Sequence, residues 1–141
     1  MKVEAFFADT NLFLRYLTDD IPELAEAFEK MLHKAAQGDF RLVTNSMVIA
    51  EMVWTLESFY QLSRRDIQEK VLAMLNTPGL EVIDEELVLR AILWYAEKNV
   101  DFIDAFNAAW LLRQGLDTAC TFDRKHFTHF DGVKVLVPGE Q

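Results

Sequence analysis

The chain has 141 residues, 51% of them hydrophobic and 26% charged, with one cysteine and a formal net charge of −9. This balance predicts a single cytoplasmic domain over residues 1–141, and it excludes an internal disulfide, a secretory signal and a membrane span of about 18 apolar residues. The acidic charge excludes the usual basic surface for nucleic acids, so contact with them requires a neutralising metal ion or a basic partner; a solvated acidic surface is the alternative.

Strand and helix patterns alternate along the whole chain. The predicted strands are VEAFFAD, FRLVT, LEVI, TACTF and VKVLVP. Six helices are predicted. One starts at Thr10, one follows Pro22, and one follows Ser63, which forms a capping pair with Asp66. The other three cover SMVIAEMVWTL, EELVLRAILWYAEKN and DFIDAFNAAWLLRQ. Strands that alternate with helices favour a mainly parallel sheet covered on both faces, which is a three-layer α/β/α sandwich.

Four acidic residues fall near the points where strands of such a sheet end. Asp9 and Asp123 directly follow short apolar strands, and Glu51 lies on the helix after the second strand. Asp104 lies in the first turn of the helix that leads into the fourth strand. Because ligand sites in open parallel sheets form at the carboxyl ends of the strands, the pattern predicts that these four carboxylates converge.

Carboxylates that converge repel one another and raise one another's pKa values. A hard divalent cation such as Mg²⁺ converts this repulsion into coordination, because it prefers oxygen ligands. Glu51 stands in an apolar stretch, where a buried and unpaired carboxylate costs several kcal/mol. A metal ion explains its presence, and an exposed stripe through Glu51, Thr55 and Ser58 is the alternative.

Each of the other acids also has a purely structural interpretation. Asp9 and Asp101 are suited to cap the helices that follow them. Asp104 complements the dipole of its helix, and Asp123 suits an ordinary turn. Their joint position at one sheet edge is therefore what favours a metal site.

Four motifs, DTNLFLRYL, VIAEMVW, DFIDAFNAAW and TFDRKHF, resemble in their order and spacing the PIN-domain family. Within that family the chain resembles the VapC-type toxin ribonucleases of bacterial and archaeal type II toxin–antitoxin pairs, from Val3 to Val137. The resemblance implies an α/β/α sandwich that cleaves RNA with Mg²⁺ or Mn²⁺. It also implies a homodimer and a small antitoxin protein as partner.

The resemblance also assigns roles to individual residues. It places the catalytic and metal-binding acidic quartet on Asp9, Glu51, Asp104 and Asp123. It gives supporting positions to Asn11, Thr121 and Asp101. In these domains the metal held by the acids lowers the pKa of a water molecule for in-line attack on phosphorus.

The residues around Asp123 carry the remaining site predictions. Arg124 and Lys125 are candidates for holding substrate phosphate, with a solvated basic turn as the alternative. Where many relatives have a further acid before the closing Phe of TFDRKHF, this chain has His126. This departure puts a second metal site in doubt, and we interpret His126 as a surface imidazole, with phosphate contact as the alternative. His33 and His129 are interpreted as ordinary.

An antitoxin groove is expected along the two early helices, with core packing as the alternative for each of its residues. The groove candidates are Phe13, Tyr16, Leu17, Phe28, Met31 and Leu32. Two other functions remain open, namely an RNA-processing PIN nuclease without an antitoxin and a catalytically silent PIN binding module. A phosphorylatable receiver domain is disfavoured, because Asp84 is the one acid after a middle strand and no Lys ends a late strand.

Overall fold

The computed structural model describes residues 3–140, which form two compact units. Within these residues the first unit ends at Glu85 and the second begins at Glu86. Among residues 3–140, no helix combines the length and the apolar character that crossing a membrane requires.

Strands and helices alternate through the first unit. Their order is β1 (Ala5–Phe7), α1 (Thr10–Thr18), α2 (Pro22–Ala36), β2 (Arg41–Thr44), α3 (Ser46–Ser58), α4 (Arg64–Leu75) and β3 (Leu80–Val82). The strands form one parallel sheet in the order β1-β2-β3, with Phe6 opposite Leu42 and Leu42 opposite Leu80. Helices form the connections between these strands, as parallel pairing requires.

Polar side chains set the starts of α3 and α4. Asn45 Oδ1 accepts a hydrogen bond from the backbone N–H of Val48, and Ser63 Oγ accepts one from the backbone N–H of Asp66. Both bonds are 3.1 Å long. Each bond satisfies an N–H group that has no partner inside its helix. The predicted capping pair at Ser63 is thereby confirmed, and Asn45 fixes the start of the helix that carries Glu51.

The contact between α1 and α2 is aromatic. Phe13 and Phe28 are buried, and their rings meet edge to face at 5.3 Å between centroids. Tyr16 contacts the same Phe28 ring at 5.8 Å. Leu32 is also buried, so core packing is the correct interpretation for Phe13, Phe28 and Leu32, because α1 and α2 pack their apolar faces against each other. Three groove candidates, Tyr16, Leu17 and Met31, remain partly exposed.

Gly79 marks the close approach of the chain before β3 to helix α2. Its φ of +87° lies in the left-handed region, and a Cβ at this position would lie 2.5 Å from the backbone N of Ala36 and 2.9 Å from the carbonyl O of Leu32. Backbone atoms of a packed helix cannot move aside cheaply. Glycine is therefore required here both by conformation and by space.

The second unit contains two helices and a small parallel sheet. Its elements are α5 (Glu85–Lys98), α6 (Phe102–Arg113), β4 (Thr118–Cys120), a 3₁₀ turn (Arg124–His126) and β5 (Lys134–Leu136). Strands β4 and β5 pair in parallel, with Ala119 opposite Val135. Phe130 is buried against the Trp94 ring at 5.0 Å, which anchors the segment after the 3₁₀ turn to α5.

These elements confirm the predicted α/β class with a parallel sheet surrounded by helices. All six predicted helices and five predicted strands are present in residues 3–140, and each strand is shorter than its predicted segment. The strands fall into a three-stranded and a two-stranded sheet. The 3₁₀ turn at Arg124–His126 was not predicted, and it has consequences for the site.

Candidate functional site

Helix α6 carries Asp104 in its first turn. The helix begins after Asp101, whose Oδ1 accepts a hydrogen bond from the backbone N–H of Ile103 at 3.1 Å. This bond confirms the capping interpretation of Asp101 and fixes the first turn of the helix. The Asp104 side chain is only 16% exposed, so its carboxylate is placed by the helix start in a largely buried position.

A chain of hydrogen bonds directs Asp123. The Thr121 N–H donates to the Leu136 carbonyl at 3.0 Å, which extends the pairing of β4 with β5 by one residue. Thr121 Oγ1 then accepts from the Asp123 N–H, and Asp123 Oδ1 accepts from the Lys125 N–H, each at 3.0 Å. Local side-chain bonds of this kind fix a turn. They leave the second carboxylate oxygen of Asp123 for another partner.

That partner is His126, which joins the two aspartates. Its Nδ1 lies 3.3 Å from Asp104 Oδ2, and its Nε2 lies 3.0 Å from Asp123 Oδ2. Both distances are within ion-pair range, so the ring in its protonated form is a counter-cation between two carboxylates.

The predicted surface position of His126 is confirmed, because its side chain is 53% exposed, but its contacts with two carboxylates were not predicted. The contact with Asp123 follows from the 3₁₀ turn, in which side chains three residues apart eclipse each other. This geometry turns His126 back over Asp123. The signal in the sequence is the spacing of three residues between them, which predicts this contact only if the turn is known to be 3₁₀.

Burial raises the pKa of Asp104 above its ordinary value, because a carboxylate is disfavoured where water is excluded. The charge of His126 acts in the opposite direction and lowers this pKa. The negative charges of Asp101 and Asp123 raise it further. Asp104 therefore lies in an acidic environment that a positive charge stabilises.

A cavity of about 280 Å³ opens beside these groups. Its lining residues are Asn99, Val100, Asp101, Asp104, Lys125, His126 and His129. Of the two predicted phosphate contacts, Arg124 pairs with Glu140, whereas the Lys125 ammonium forms no ion pair within residues 3–140. Lys125 is thus the basic side chain that is available at this cavity.

In the first unit, the end of β1 places Asp9. The Ala8 N–H donates to the Val43 carbonyl and the Ala8 carbonyl accepts from Thr44 Oγ1, both at 2.9 Å. Asp9 occupies the N-cap position of α1, but its side chain accepts no capping hydrogen bond. The capping interpretation therefore does not account for this carboxylate. Asn11 follows in the first turn of α1 and is exposed.

Glu51 is exposed on helix α3. Its apolar neighbours one turn before and three residues after, Met47 and Trp54, are also exposed, at 77% and 66%. Ser58 is exposed and Thr55 partly so, and the Thr55 hydroxyl donates to the Glu51 carbonyl at 2.9 Å. The exposed-stripe alternative is correct, and the argument that Glu51 needs a cation to offset burial is wrong, because this face of α3 is not buried.

The structure thus places the predicted acids in two groups. Asp104 and Asp123 come together through His126, with Asp101 at the start of the same helix as Asp104. Asp9 and Glu51 follow the carboxyl ends of the neighbouring strands β1 and β2.

The carboxylate oxygens of both groups suit a hard divalent ion, because such ions prefer oxygen ligands. In the part of the chain that the structure describes, no three or more His, Cys, Asp or Glu side chains are arranged to hold a metal ion. Asp104 and Asp123 suit a divalent ion by the chemistry of their carboxylates, and both contact the imidazole of His126.

Comparisons with known proteins bear on the whole chain. Residues 6–133 match the family model described as PIN domain. The chain is also similar to a protein named VapC ribonuclease from Aquifex aeolicus (strain VF5), with 28% identity over 133 residues. That alignment covers 94% of this chain and 96% of the Aquifex protein.

Proposed function

The chain belongs to the PIN domain family, and from this premise we propose that it is a divalent-metal-dependent endoribonuclease that hydrolyses RNA phosphodiester bonds. The observation that carries the proposal is the pair of carboxylates, Asp104 and Asp123, that both contact His126, beside a cavity that Asp104 and His126 line. The similarity to a protein named VapC ribonuclease supports RNA as the substrate.

The proposed catalytic and metal-binding residues are Asp9, Glu51, Asp104 and Asp123. All four lie inside the range that the family match covers, which includes residues of both units. We therefore propose that residues 1–141 function as one nuclease domain. Asn11, Thr121 and Asp101 support the acids, and for two of them a hydrogen bond is the basis: Thr121 binds the Asp123 N–H and Asp101 caps the helix of Asp104.

The proposed cofactor is Mg²⁺ or Mn²⁺, held by these carboxylates. Such an ion would lower the pKa of a bound water molecule and would neutralise charge on the phosphate. The residues of the chain supply the geometry. The cap at Asp101 and the turn at Asp123 direct the two carboxylates, and the Lys125 ammonium binds a phosphate oxygen of the substrate. With a net charge of −9, affinity for RNA depends strongly on salt.

The test is cleavage of a labelled, unstructured RNA by the purified protein. We expect internal cleavage with Mg²⁺ or Mn²⁺ and none after EDTA treatment, with a double-stranded DNA of the same sequence as control. Cleavage that persists in EDTA contradicts the metal. Metal and RNA binding without any cleavage, across structured and unstructured RNAs, identifies a silent binding module instead.

We also propose a small antitoxin protein as partner, bound along α1 and α2. A cavity of about 490 Å³ includes Tyr16, His33 and Thr77 in its lining, and a second of about 100 Å³ shares Tyr16 and adds Leu17. Exposed Leu24 on α2 extends the apolar surface. These partly exposed side chains suit an amphipathic segment of a partner.

Co-expression with the protein encoded by the neighbouring gene tests this partner. We expect a complex by size-exclusion chromatography with light scattering, and weaker binding when Tyr16 or Leu24 is replaced by Glu. The same instrument tests the proposed homodimer of the isolated chain. A monomer that ignores the neighbouring protein and still cleaves RNA favours an RNA-processing nuclease without an antitoxin. We place the activity in the cytoplasm, where a chain with one cysteine requires no oxidising conditions.

A further inference from the structure

Thr44 is a buried polar residue at the carboxyl end of β2. It is the last residue of the strand and is only 1% exposed. Strands in the middle of a parallel sheet usually carry Val, Ile or Leu at such positions, and a hydroxyl group removed from water costs free energy unless it forms a hydrogen bond. The Thr44 hydroxyl donates to the Ala8 carbonyl oxygen at 2.9 Å. This bond to the end of β1 explains why a polar side chain is tolerated here.

The bond holds the chain directly before Asp9. The pairing of β1 with β2 ends at Phe7, which lies opposite Val43. One residue later, the Ala8 N–H still donates to the Val43 carbonyl at 2.9 Å, and the Ala8 carbonyl accepts from Thr44. Both polar backbone groups of Ala8 are thus bound to β2. Because the Asp9 side chain accepts no capping hydrogen bond, it is the backbone before Asp9 that determines where its carboxylate begins.

The residue after Thr44 fixes the helix that carries Glu51. Asn45 Oδ1 accepts from the Val48 N–H at 3.1 Å and caps the start of α3. The backbone carbonyl of Thr44 accepts from the Ile83 N–H at 3.0 Å, which ties this point to the chain after β3. Two consecutive side chains at the end of β2 therefore bind one acid-bearing element each.

We propose that Thr44 is a positioning residue, which together with Asn45 fixes Asp9 relative to the helix that carries Glu51. This inference rests on the proposed function, because it takes these two carboxylates as catalytic. A role in core packing alone requires only the volume of the side chain at position 44. Positioning requires a hydroxyl donor, and this difference makes the two roles separable.

The first test is amide hydrogen exchange, measured by nuclear magnetic resonance in the metal-free protein. Thr44→Val keeps the size of the side chain but removes the donor. We expect the Ala8 amide to exchange roughly tenfold faster, as for the loss of one net hydrogen bond. The Ile83 amide is the internal control, since it is bound to the backbone carbonyl of Thr44 and should keep its rate. Thr44→Ser keeps the hydroxyl and should retain the protection of Ala8.

An unchanged exchange rate of the Ala8 amide in a folded Thr44→Val protein contradicts the proposal. Thr44→Ala replaces this variant if Thr44→Val does not fold, because it also lacks the hydroxyl and leaves space around the Ala8 carbonyl. The same rates of Ala8 and Ile83 are then compared.

The second test separates kcat from KM in RNA cleavage. We expect kcat of Thr44→Val to fall roughly tenfold with KM within about twofold, because a displaced carboxylate affects the transition state more than the binding of RNA. Thr44→Ser should keep most of kcat. The matched control is Val71→Ala, which alters a buried residue of the same unit on a helix that carries none of the proposed site residues. It should lower the melting temperature but not kcat.

The outcomes separate this inference from the proposed function. Normal kcat in Thr44→Val, or an equal loss of kcat in Val71→Ala, contradicts positioning and leaves the proposed nuclease in place. Faster Ala8 exchange together with lower kcat, both restored in Thr44→Ser, supports the inference. If the unaltered protein cleaves no RNA, the proposed nuclease fails, and the Ala8 exchange rate alone decides whether Thr44 fixes the end of β1.

Discussion

The two groups of acids are positioned in different ways. Asp104 and Asp123 in the second unit both contact His126. Asp104 lies in the first turn of a helix that Asp101 caps, and Asp123 caps the 3₁₀ turn. Asp9 and Glu51 in the first unit are exposed, and they are placed by the backbone of the elements that carry them.

This difference shows two solutions to the same electrostatic problem. Exposed carboxylates keep their water and need no partner, so the scaffold alone is sufficient to place them. A largely buried carboxylate such as Asp104 loses water, which is why its pKa is raised and why a counter-charge lies next to it. Variants of the two groups should therefore differ in stability even where they agree in activity.

The largest expected effect is that of Asp104→Asn on cleavage. We expect at least about a thousandfold loss of Mg²⁺-dependent activity, because an amide cannot replace the charged ligand. The melting temperature should hold or rise, since the substitution removes a carboxylate whose ionised form is disfavoured by burial. Activity assays and thermal denaturation measure the two effects.

Asp101→Asn is the matched control for Asp104→Asn. Asparagine caps helices as well as aspartate does, so this protein should keep most of its cleavage activity. A larger loss for Asp101→Asn than for Asp104→Asn would reverse the assigned roles of these two residues on α6.

The first unit offers the corresponding substitutions Asp9→Asn and Glu51→Gln. We expect each to lower cleavage by roughly a hundredfold, within the usual range for losing one charged group at such a site. The melting temperature should not change, because both side chains are exposed. Normal activity in either variant would remove that residue from the proposed quartet, and a drop in melting temperature would show a structural role.

The sequence was sufficient to predict the helices and strands and the capping roles of two side chains. Periodicity and capping are local, so the helices, the cap at Ser63 and the cap at Asp101 are confirmed. The environment of Glu51 was not readable, because apolar composition does not show that Met47 and Trp54 face solvent.

The role of His126 was missed for a related reason. Its contact with Asp104 joins residues far apart in the chain. Its contact with Asp123 depends on a 3₁₀ turn, which hydrophobic periodicity does not predict. Site residues that act through tertiary contacts are therefore the ones that local patterns omit.

If backbone packing places the acids of the first unit, loosening that packing should lower its stability. Gly79→Ala should lower the free energy of unfolding by about 3 kcal/mol, because the new Cβ meets the backbone of α2 at a positive φ. Gly38→Ala is the matched control, with φ of +89° and no atom within 4 Å of the new Cβ. It should cost only about 1 kcal/mol. Equal losses in urea denaturation would contradict the close approach at Gly79.

The smallest expected effect concerns a carboxylate that has a partner but is exposed. Arg41 Nε donates to Glu81 Oε2 at 2.7 Å, and Arg41 Nη2 donates to Glu81 Oε1 at 2.8 Å. This pairing lowers the pKa of Glu81. The pair therefore adds stability above the unfolded pKa of Glu81 and loses it as the pH falls through the lower folded pKa.

Carbon NMR titration of the Glu81 carboxyl group measures this effect. The pKa should return toward its ordinary value in Arg41→Gln, with little change in melting temperature at neutral pH because the pair is exposed. An unchanged pKa in Arg41→Gln would show that the guanidinium is not its cause.

The most direct measurement of the central claim is the anomalous scattering of Mn²⁺ in crystals of the protein. We expect a peak coordinated by Asp104 and Asp123 in crystals saturated with Mn²⁺. A saturated crystal that shows no peak at these aspartates would contradict the claim that they form a metal site.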